Sequence, residues 1–230
     1  MPARTIAIGD IHGCGTALST LLSLLEITDQ DTVVLLGDIV DRGPDTKGVI
    51  EQLLRLKSHC HELIYIRGNH EEMMLDALDT GTLNSMWLFH GGQEVLDSYE
   101  VDTVQDIPEE HVDFIRSSLN YWENDSEIFV HANVQHGRPL DVQFRQFLRW
   151  ERYKGNEPPH PSGKRVIVGH TVMPHGMPRV SPGWVAIDTG VYEGNPLTAF
   201  DTSNNLFYQA DQLGNRFPSF PLSEESPKDL

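Results

Sequence analysis

The sequence has few cysteines, few basic residues and no long apolar stretches. With only Cys14 and Cys60 in 230 residues, it lacks the cysteine framework of a small secreted domain, and we expect both thiols to be reduced. The 17 basic side chains are outnumbered by 34 acidic ones, which gives a formal net charge of −17. Because nucleic-acid binders display basic patches, this balance argues against such a partner.

The apolar runs are all too short to cross a bilayer. Met1 is followed directly by a strand pattern, not by the basic segment and apolar core of a secretion signal. We therefore expect a cytoplasmic protein with no membrane contact and no obligate partner. Because the chain is acidic, any attraction for a phosphorylated substrate must be local, through bound cations and a few arginines.

The length suits a single large α/β domain with a sizeable core. We place this domain at residues 1–216, with a helical insert at about residues 73–124 that carries aromatic and acidic side chains. Residues 217–230 contain Pro, Ser and acidic residues without periodicity, so a flexible C-terminal tail is expected there.

Three polar motifs each follow a short aliphatic run that is typical of a buried strand. They are GDIHG at residues 9–13, GDIVDRG at residues 37–43 and GNHE at residues 68–71. Leucines at helical spacing follow the first two motifs, so the first seventy residues predict a βαβαβ unit. His131 and His170 follow two further aliphatic runs. Because α/β sheets place ligands at strand carboxyl ends, five strand ends are expected to direct polar groups to one edge.

The second half of the chain returns to strand patterns. They are expected at residues 165–168, 184–188, 197–201 and 206–209, with a hairpin turn at Asn204-Asn205. A helix is expected from about Leu140 to Tyr153, before the proline-rich segment that follows it.

The polar residues at these strand ends predict a site for two divalent cations. The six expected ligands are Asp10, His12, Asp38, Asn69, His131 and His170. Asp10 and His12 would reach one ion, Asp38 would bridge it to a second, and the other three would complete the second. A nitrogen and oxygen set without thiolate suits Mn²⁺, Fe or Zn²⁺. Two ions that share a carboxylate lower the pKa of a water between them, which predicts hydroxide as the nucleophile.

Three further residues have side chains suited to phosphoryl chemistry. The guanidinium of Arg42 matches the geometry of phosphate oxygens. His70, adjacent to Asn69, is the best general acid for the leaving group, and Asp41 is suited to hold its ring by a hydrogen bond. Alone, each of these residues would more often be an ordinary structural group; their joint occurrence at strand ends favours a catalytic site.

These motifs resemble the metallophosphoesterases of the phosphoprotein phosphatase family, over about residues 6–201. GNHEEMM at 68–74, Trp87 with Gly91-Gly92, WER at 150–152, GHT at 169–171 and IDTG at 187–190 look like the small bacterial and phage protein phosphatases and the symmetrical diadenosine tetraphosphatases. The resemblance implies an α/β fold, a calcineurin-like αββα four-layer sandwich of two mixed sheets flanked by helices. It also implies a hydrolase with two divalent metal ions, for which we expect Mn²⁺.

The same resemblance assigns the site residues. It implies the six ligands given above, with Asp41, Arg42 and His70 catalytic. Arg42 and Asn69 are expected to bind the substrate phosphate together with a second arginine. Arg152 fits the Trp-x-Arg pattern of the branch, whereas Arg145 and Arg149 lie on the same expected helix and remain alternatives.

The sequence departs from the family at residues 132–133. Ala132-Asn133 stands where two small residues, often Gly-Gly or Ala-Gly, follow the histidine. Asn133 is able to adopt the left-handed conformation that a glycine would take, so this departure concerns the loop shape more than the metal site.

Three functions remain open from the sequence. A serine/threonine protein phosphatase, acting on phosphorylated proteins, is favoured. The alternative is a symmetrical dinucleoside polyphosphate hydrolase, which needs an aromatic platform for adenine. The candidates for this platform are Trp87, Tyr99 and Trp122, although residues of these types are more often part of the core. A non-catalytic metal-bound scaffold is the most distant alternative, because it would not need ligands, acid and phosphate clamp together.

Overall fold

The computed structural model describes residues 3–81 and 84–223 of the chain. In this part, eleven strands form two sheets, and helices cover their outer faces. The strands are β1 (Thr5–Ile8), β2 (Thr32–Leu35), β3 (Glu62–Tyr65), β4 (Trp122–Glu123), β5 (Glu127–Val130), β6 (Arg165–Val168), β7 (Arg179–Ser181), β8 (Trp184–Ala186), β9 (Leu197–Asp201), β10 (Leu206–Ala210) and β11 (Phe220–Pro221). The α-helices are α1 (Gly15–Leu25), α2 (Thr46–Lys57), α3 (Asn69–Asp79), α4 (Asn84–Trp87), α5 (Gln93–Tyr99), α6 (Glu109–Arg116) and α7 (Arg145–Trp150).

The first sheet has the strand order β11-β10-β9-β1-β2-β3. Strands β1, β2 and β3 are parallel and are joined by α1 and α2, which gives the expected βαβαβ unit. Side chains alternate along each strand: Ile6 and Ile8 pack with α1 and α2, whereas Ala7 packs between the two sheets. Asp45 caps α2 by accepting a hydrogen bond from the Gly48 amide at 3.0 Å, which starts the helix directly after the second motif.

The second sheet has the order β4-β5-β6-β8-β7, with β5, β6 and β8 parallel. Phe129, Ile167 and Val185 on its inner face pack against residues of the first sheet in one buried cluster. On its outer face, Leu148 of α7 packs in a separate cluster with the alternate side chains of β5, β6 and β8. The layers are therefore helices, sheet, sheet and helices, as predicted.

The helices α3 to α6 occupy the region of the expected insert. α4 continues through a π-helical turn, Leu88–Gly92, directly into α5. Phe114 of α6 stacks on Tyr65 at the end of β3, with ring centroids 5.2 Å apart, so the insert packs beside the first sheet. The domain limits at residues 1–216 remain a prediction.

The structure differs from the sequence expectations between residues 140 and 153. The helix expected from Leu140 to Tyr153 is a 3₁₀ turn (Leu140–Val142) followed by the shorter α7. The chain is extended between them, because the Gln143 side chain bonds to the backbone of Gln135 and Arg138 instead of continuing a helix.

The flexible tail expected at residues 217–230 remains a prediction. Within it, Phe220–Pro221 form the edge strand β11, which pairs with β10. The half-buried Phe220 ring lies 5.3 Å from that of Phe207, so a contact between aromatic rings accompanies this pairing. Residues 224–230 lie outside the described residues.

Both cysteines are free and buried. Over residues 3–81 and 84–223, every helix falls short of the length and apolar character needed to cross a bilayer.

The interface between the sheets yields a stability prediction at Phe200. Its ring is fully buried and stacks on Phe207, with centroids 4.7 Å apart. Replacing Phe200 by Ala is expected to lower the free energy of unfolding by about 3–5 kcal/mol, because it leaves a cavity between two rigid sheets. Urea denaturation measures this change. The control Leu213→Ala, at a side chain 86% exposed, should change it by less than about 0.5 kcal/mol, and similar values for the two variants would contradict the packing.

Candidate functional site

The loops after β1, β2 and β3 of the first sheet meet the loops after β5 and β6 of the second. Within the first sheet, the His12 amide donates to the backbone oxygen of Asp38 at 2.8 Å. Between the sheets, the His170 amide donates to the Asp10 carboxylate at 3.0 Å. The single edge expected from the sequence is therefore the rim that two packed sheets share.

The Asp38 carboxylate lies at the centre of this rim. Its Oδ1 accepts a hydrogen bond from the His70 amide at 3.0 Å. Its Oδ2 lies 3.4 Å from His131 Nε2, 3.8 Å from His12 Nε2 and 4.0 Å from His70 Nε2. Burial acts to raise the pKa of Asp38, but the neighbouring histidines, His131 first, bring it well below its usual range. Asp38 is thus an ionised carboxylate faced by three imidazoles.

Three histidines of the site each bond one ring nitrogen to a backbone carbonyl. The pairs are His12 Nδ1 with Val40 at 2.9 Å, His131 Nδ1 with Leu36 at 2.8 Å, and His170 Nε2 with Trp150 at 3.2 Å. Because a carbonyl only accepts, the bonded nitrogen carries the proton and the other nitrogen of a neutral ring keeps its lone pair. Burial, as the largest cause, lowers the pKa of His12 well below its ordinary value and that of His170 to about 4. These two rings are therefore neutral at pH 7.

The side chains form two groups that are able to hold metal ions. The ligand atoms of His12, Asp38 and His70 lie within 4.8 Å of one another, and so do those of Asp38, His131 and His170. Asn69 Oδ1 lies 3.1 Å from His131 Nε2 and extends the second group. Asp38 belongs to both groups, which matches the position of a bridging ligand. The first group contains His70, whereas the sequence predicted Asp10 as the partner of His12 and Asp38.

The Asp10 carboxylate lies beside these groups, where it accepts the bonds from His170. Burial and the negative charges of Asp188 and Asp38 raise its pKa well above the ordinary value. Three buried carboxylates of like charge in one place cost free energy, which a divalent cation would relieve. The donor set and its charge therefore fit the expected pair of divalent ions.

His70 and Asp41 form a buried pair. His70 Nδ1 donates to Asp41 Oδ2 at 2.6 Å, and the indole nitrogen of Trp87 donates to Asp41 Oδ1 at 2.8 Å. Burial raises the pKa of Asp41 to about 6. For His70, burial acts to lower the pKa, but Asp38 and the bond to Asp41 raise it above the ordinary value. The structure thus orients His70 with Nδ1 held and Nε2 facing the metal-ligand groups.

A cavity of about 300 Å³ opens onto these groups. It is lined by His12, Asp38, Arg42, Asn69, His70, Arg152, His170, Thr171, Val172, Tyr192 and Glu193. Of the three arginines considered for the second phosphate contact, only Arg152 is in the lining. Arg149 is buried against Glu72 and Asn120, and Arg145 is exposed on α7.

Five residues of the site have a left-handed backbone. The φ angles are 44° at His12, 47° at Asp38, 69° at Asp41, 69° at Arg42 and 59° at His170. Such angles are uncommon for residues with a Cβ and cost free energy, so the surrounding contacts must hold them. The site is therefore built on a constrained backbone that its neighbours impose.

Glu71 is a residue whose role the sequence reasoning missed. Its carboxylate accepts three backbone hydrogen bonds, from Asp38 at 2.9 Å, Ile39 at 2.8 Å and Gly68 at 2.7 Å. The available signal was its place three residues after Gly68, the N-cap of α3, which is where a carboxylate bonds back to the start of a helix. Glu71 thereby joins the loops after β2 and β3.

Tyr192 and Asp188 were also missed as site residues. The Tyr192 ring lies under the Arg42 guanidinium, 4.3 Å from Cζ, and its edge contact with His12 has centroids 4.9 Å apart. Asp188 is buried and accepts a hydrogen bond from the Gly190 amide at 3.0 Å, and its charge helps to raise the pKa of Asp10. The IDTG segment marks Asp188 in the sequence, but nothing local shows that it faces Asp10.

Asn133 does not take the left-handed conformation considered for it, because its φ angle is not positive. Instead its Nδ2 donates to Glu157 Oε1 at 3.3 Å and to the Arg152 carbonyl at 3.4 Å. The side chain that replaces a small family residue thus contacts the loop that carries Arg152.

A four-layer sandwich with histidines and carboxylates at the rim of its sheets has the architecture expected of a metal-dependent phosphoesterase. Residues 3–182 match the family described as calcineurin-like phosphoesterase, and the chain belongs to this family. The predicted family and fold are therefore confirmed.

The chain is similar to proteins of more than one named activity. It is 41% identical over 86 residues to serine/threonine-protein phosphatase 1 of Salmonella typhimurium, covering 37% of each chain. It is 28% identical over 160 residues to a symmetrical bis(5'-nucleosyl)-tetraphosphatase of Methylobacillus flagellatus, covering 66% of this chain and 53% of that protein. The alignments thus span from about a third to half of these relatives' lengths.

A solved structure shows the same fold. The cold-active protein-tyrosine phosphatase of a Shewanella species superposes with a TM-score of 0.68 at 17% identity, over 94% of this chain and 80% of that one. At this identity the similarity concerns the fold alone.

The raised pKa of Asp188 yields a prediction on stability and pH. Burial raises this pKa from 3.8 to about 6, so between these values the folded state binds more protons, and the contribution of Asp188 to stability falls as the pH rises. In the metal-free protein, Asp188→Asn is expected to relieve this penalty, by about 1 kcal/mol more at pH 7 than at pH 5. Urea denaturation at both pH values measures the difference.

The control for this experiment is Asp113→Asn, at an exposed position on α6. It should give the same small change at both pH values. An Asp188→Asn effect independent of pH would show that this carboxylate titrates normally in the folded protein.

Proposed function

We propose that the chain is a hydrolase that cleaves phosphate monoesters with two divalent metal ions, and that its substrates are phosphorylated serine and threonine residues of proteins. One observation carries the proposal. The Asp38 carboxylate belongs to two groups of metal-ligand atoms, and the cavity above them is lined by a held imidazole and two arginines.

The two ions would be held by the six residues predicted from the sequence. His70, whose ring belongs to the first group in the structure, would stay free of metal and act on the substrate. Imidazole, carboxylate and amide groups without thiolate suit Mn²⁺, Fe or Zn²⁺, and of these we expect Mn²⁺. When bound, the pair would neutralise phosphate charge and lower the pKa of a water molecule, which supplies a nucleophile at neutral pH.

The other side chains of the cavity bind the substrate and handle its proton. Arg42 and Arg152, with Asn69, would hold the phosphate oxygens and stabilise the charge that develops on them. As the bond from phosphorus to the ester oxygen breaks, His70 would donate the proton on Nε2 to that oxygen. Asp41 keeps the other ring nitrogen protonated and fixes the plane of the ring.

The three aromatic residues considered for adenine stacking do not form a platform at the cavity, which favours a protein phosphatase over a dinucleotide hydrolase. Tyr192 does line the cavity, and its ring lies under the Arg42 guanidinium. Trp87 is fully buried and Tyr99 is only 6% exposed. Trp122 packs on Phe129 with centroids 5.3 Å apart. None of the three residues considered for adenine stacking therefore faces the cavity. The similarity to a symmetrical tetraphosphatase keeps the dinucleotide hydrolase as the second candidate.

A direct comparison of substrates tests the proposal. The Mn²⁺-loaded protein is assayed on a phosphoserine or phosphothreonine peptide and on diadenosine tetraphosphate, with phosphate and ADP release measured. A higher kcat/KM on the peptide is expected. A preference for the dinucleotide, with two ADP formed, would support the second candidate, and inactivity on both with metal bound would support a scaffold.

The shared position of Asp38 yields a prediction on metal content. Asp38→Ala is expected to lose both ions and nearly all activity, since both ligand groups lose their common carboxylate. Metal analysis after gel filtration measures bound Mn²⁺ per chain. The control Asp113→Ala removes an exposed carboxylate of α6 and should bind metal as the native chain does. Full metal content and activity in Asp38→Ala would contradict the bridging role.

A further inference from the structure

Trp87 connects the helical insert to the pair formed by Asp41 and His70. It is the last residue of α4 and is fully buried. Its indole N–H donates to Asp41 Oδ1 at 2.8 Å, while Asp41 Oδ2 accepts from His70 Nδ1 at 2.6 Å. The carboxylate is thus held from both sides, by the insert through one oxygen and by the histidine through the other.

The π-helical turn after α4 fixes the position of the indole. Gly92 lies so close that a Cβ there would come within 2.5 Å of the ring carbons of Trp87. The neighbouring Gly91, with φ 115°, accepts a hydrogen bond from the Arg42 amide at 3.2 Å. A Cβ at Gly91 would collide with the Arg42 backbone. The same turn therefore contacts both Trp87 and Arg42, which is expected to bind the substrate phosphate.

The backbone of residues 41–42 has an uncommon conformation that depends on contacts with its neighbours, including Trp87 and Gly91. Asp41 and Arg42 both have a φ of 69°, a conformation that non-glycine residues adopt only where neighbours hold it. Without the indole donor, the Asp41 carboxylate would keep only its side-chain bond to His70. Its orientation about χ2, and with it the plane of the His70 ring, would be less well fixed. His70 Nε2 would then lose its fixed direction toward the cavity.

We propose that Trp87 is a positioning residue for phosphate ester cleavage, whose N–H aligns His70 through Asp41 for protonation of the leaving oxygen. This role rests on the proposed function, because it requires His70 to act as the general acid. It gives the helical insert a role in aligning the proposed general acid.

The test compares Trp87→Phe with Trp184→Phe. Phenylalanine keeps an aromatic ring and removes the N–H. Trp184 is a matched control, since it is 2% exposed and its indole donates to the Pro158 carbonyl at 3.0 Å, away from the cavity lining. Both variants are assayed with Mn²⁺ on two esters. Phenyl phosphate releases phenolate, a poor leaving group, whereas 2,4-dinitrophenyl phosphate releases dinitrophenolate, which leaves without protonation.

For Trp87→Phe we expect kcat to fall about tenfold or more on phenyl phosphate and about twofold or less on the dinitrophenyl ester, since only the first needs an aligned acid. Trp184→Phe should affect the two esters equally. An equal loss on both esters in Trp87→Phe would indicate a merely structural role and overturn the proposal.

A double-mutant cycle with Asp41→Asn tests whether Trp87 acts through Asp41. If it does, Trp87→Phe should cause little further loss on phenyl phosphate in the Asp41→Asn background; fully additive losses would overturn the proposal. His70→Asn serves as the reference. Should it show no dependence on the leaving group, the assignment of the acid fails. Should it show that dependence while Trp87→Phe does not, only the role of Trp87 fails.

A spectroscopic measurement separates alignment from activity. In the diamagnetic Zn²⁺-loaded protein, the proton between His70 and Asp41 should give a far-downfield ¹H signal, identified by its loss in His70→Asn. The signal is expected to shift or broaden in Trp87→Phe and to stay unchanged in Trp184→Phe. If Trp87→Phe folds poorly, incorporation of 3-benzothienylalanine at residue 87 replaces the N–H by sulfur in a ring of nearly the same shape. An unchanged signal in the folded variant would overturn the proposal.

Discussion

The carboxylate of Glu71 is the contact on which the site depends. It lies at the start of α3 and accepts the backbone N–H groups of Asp38, Ile39 and Gly68, so one side chain closes the loops after two adjacent strands. Through these bonds it fixes the left-handed backbone of Asp38 and the direction of the carboxylate shared by both ligand groups. The arrangement has an electrostatic cost, because burial and the charge of Asp38 raise the pKa of Glu71. Backbone dipoles offset that cost.

A second constraint acts between the sheets. Asp10 follows a strand of the first sheet and His170 a strand of the second, and the hydrogen bonds between them close the rim. The ligands therefore come from two layers whose relative position depends on the packing of residues such as Phe129 and Phe200 between the sheets. The relative position of the ligands therefore depends on the buried interface between the sheets, although Phe129 and Phe200 take no part in the reaction themselves.

Much of this arrangement could be predicted from the sequence. Strand ends, glycines and chemically suited side chains recur together, so the βαβαβ unit and the residues around Asp38 follow from local pattern alone. What local pattern could not supply is contact between distant residues. From the sequence, Trp87 was interpreted as an ordinary core residue. Its hydrogen bond to Asp41 joins residues 46 positions apart, and no local pattern indicates such a contact. The edge strand β11 was missed for the same reason. It exists only because it pairs with β10, and the residues around Phe220 show no strand periodicity.

The crowding of Asp10, Asp38 and Asp188 has a consequence for the life of the protein in a cell. A ligand that binds only the folded state stabilises it by mass action, and here the folded state carries buried negative charge that a cation would neutralise. If the cluster binds divalent ions as proposed, metal supply would change the fraction of chains that open transiently, and this open fraction is what proteases degrade. Chains that fail to acquire their ions would be removed faster than loaded ones, so the acidic cluster that prepares the site would also act as a quality control on its own assembly.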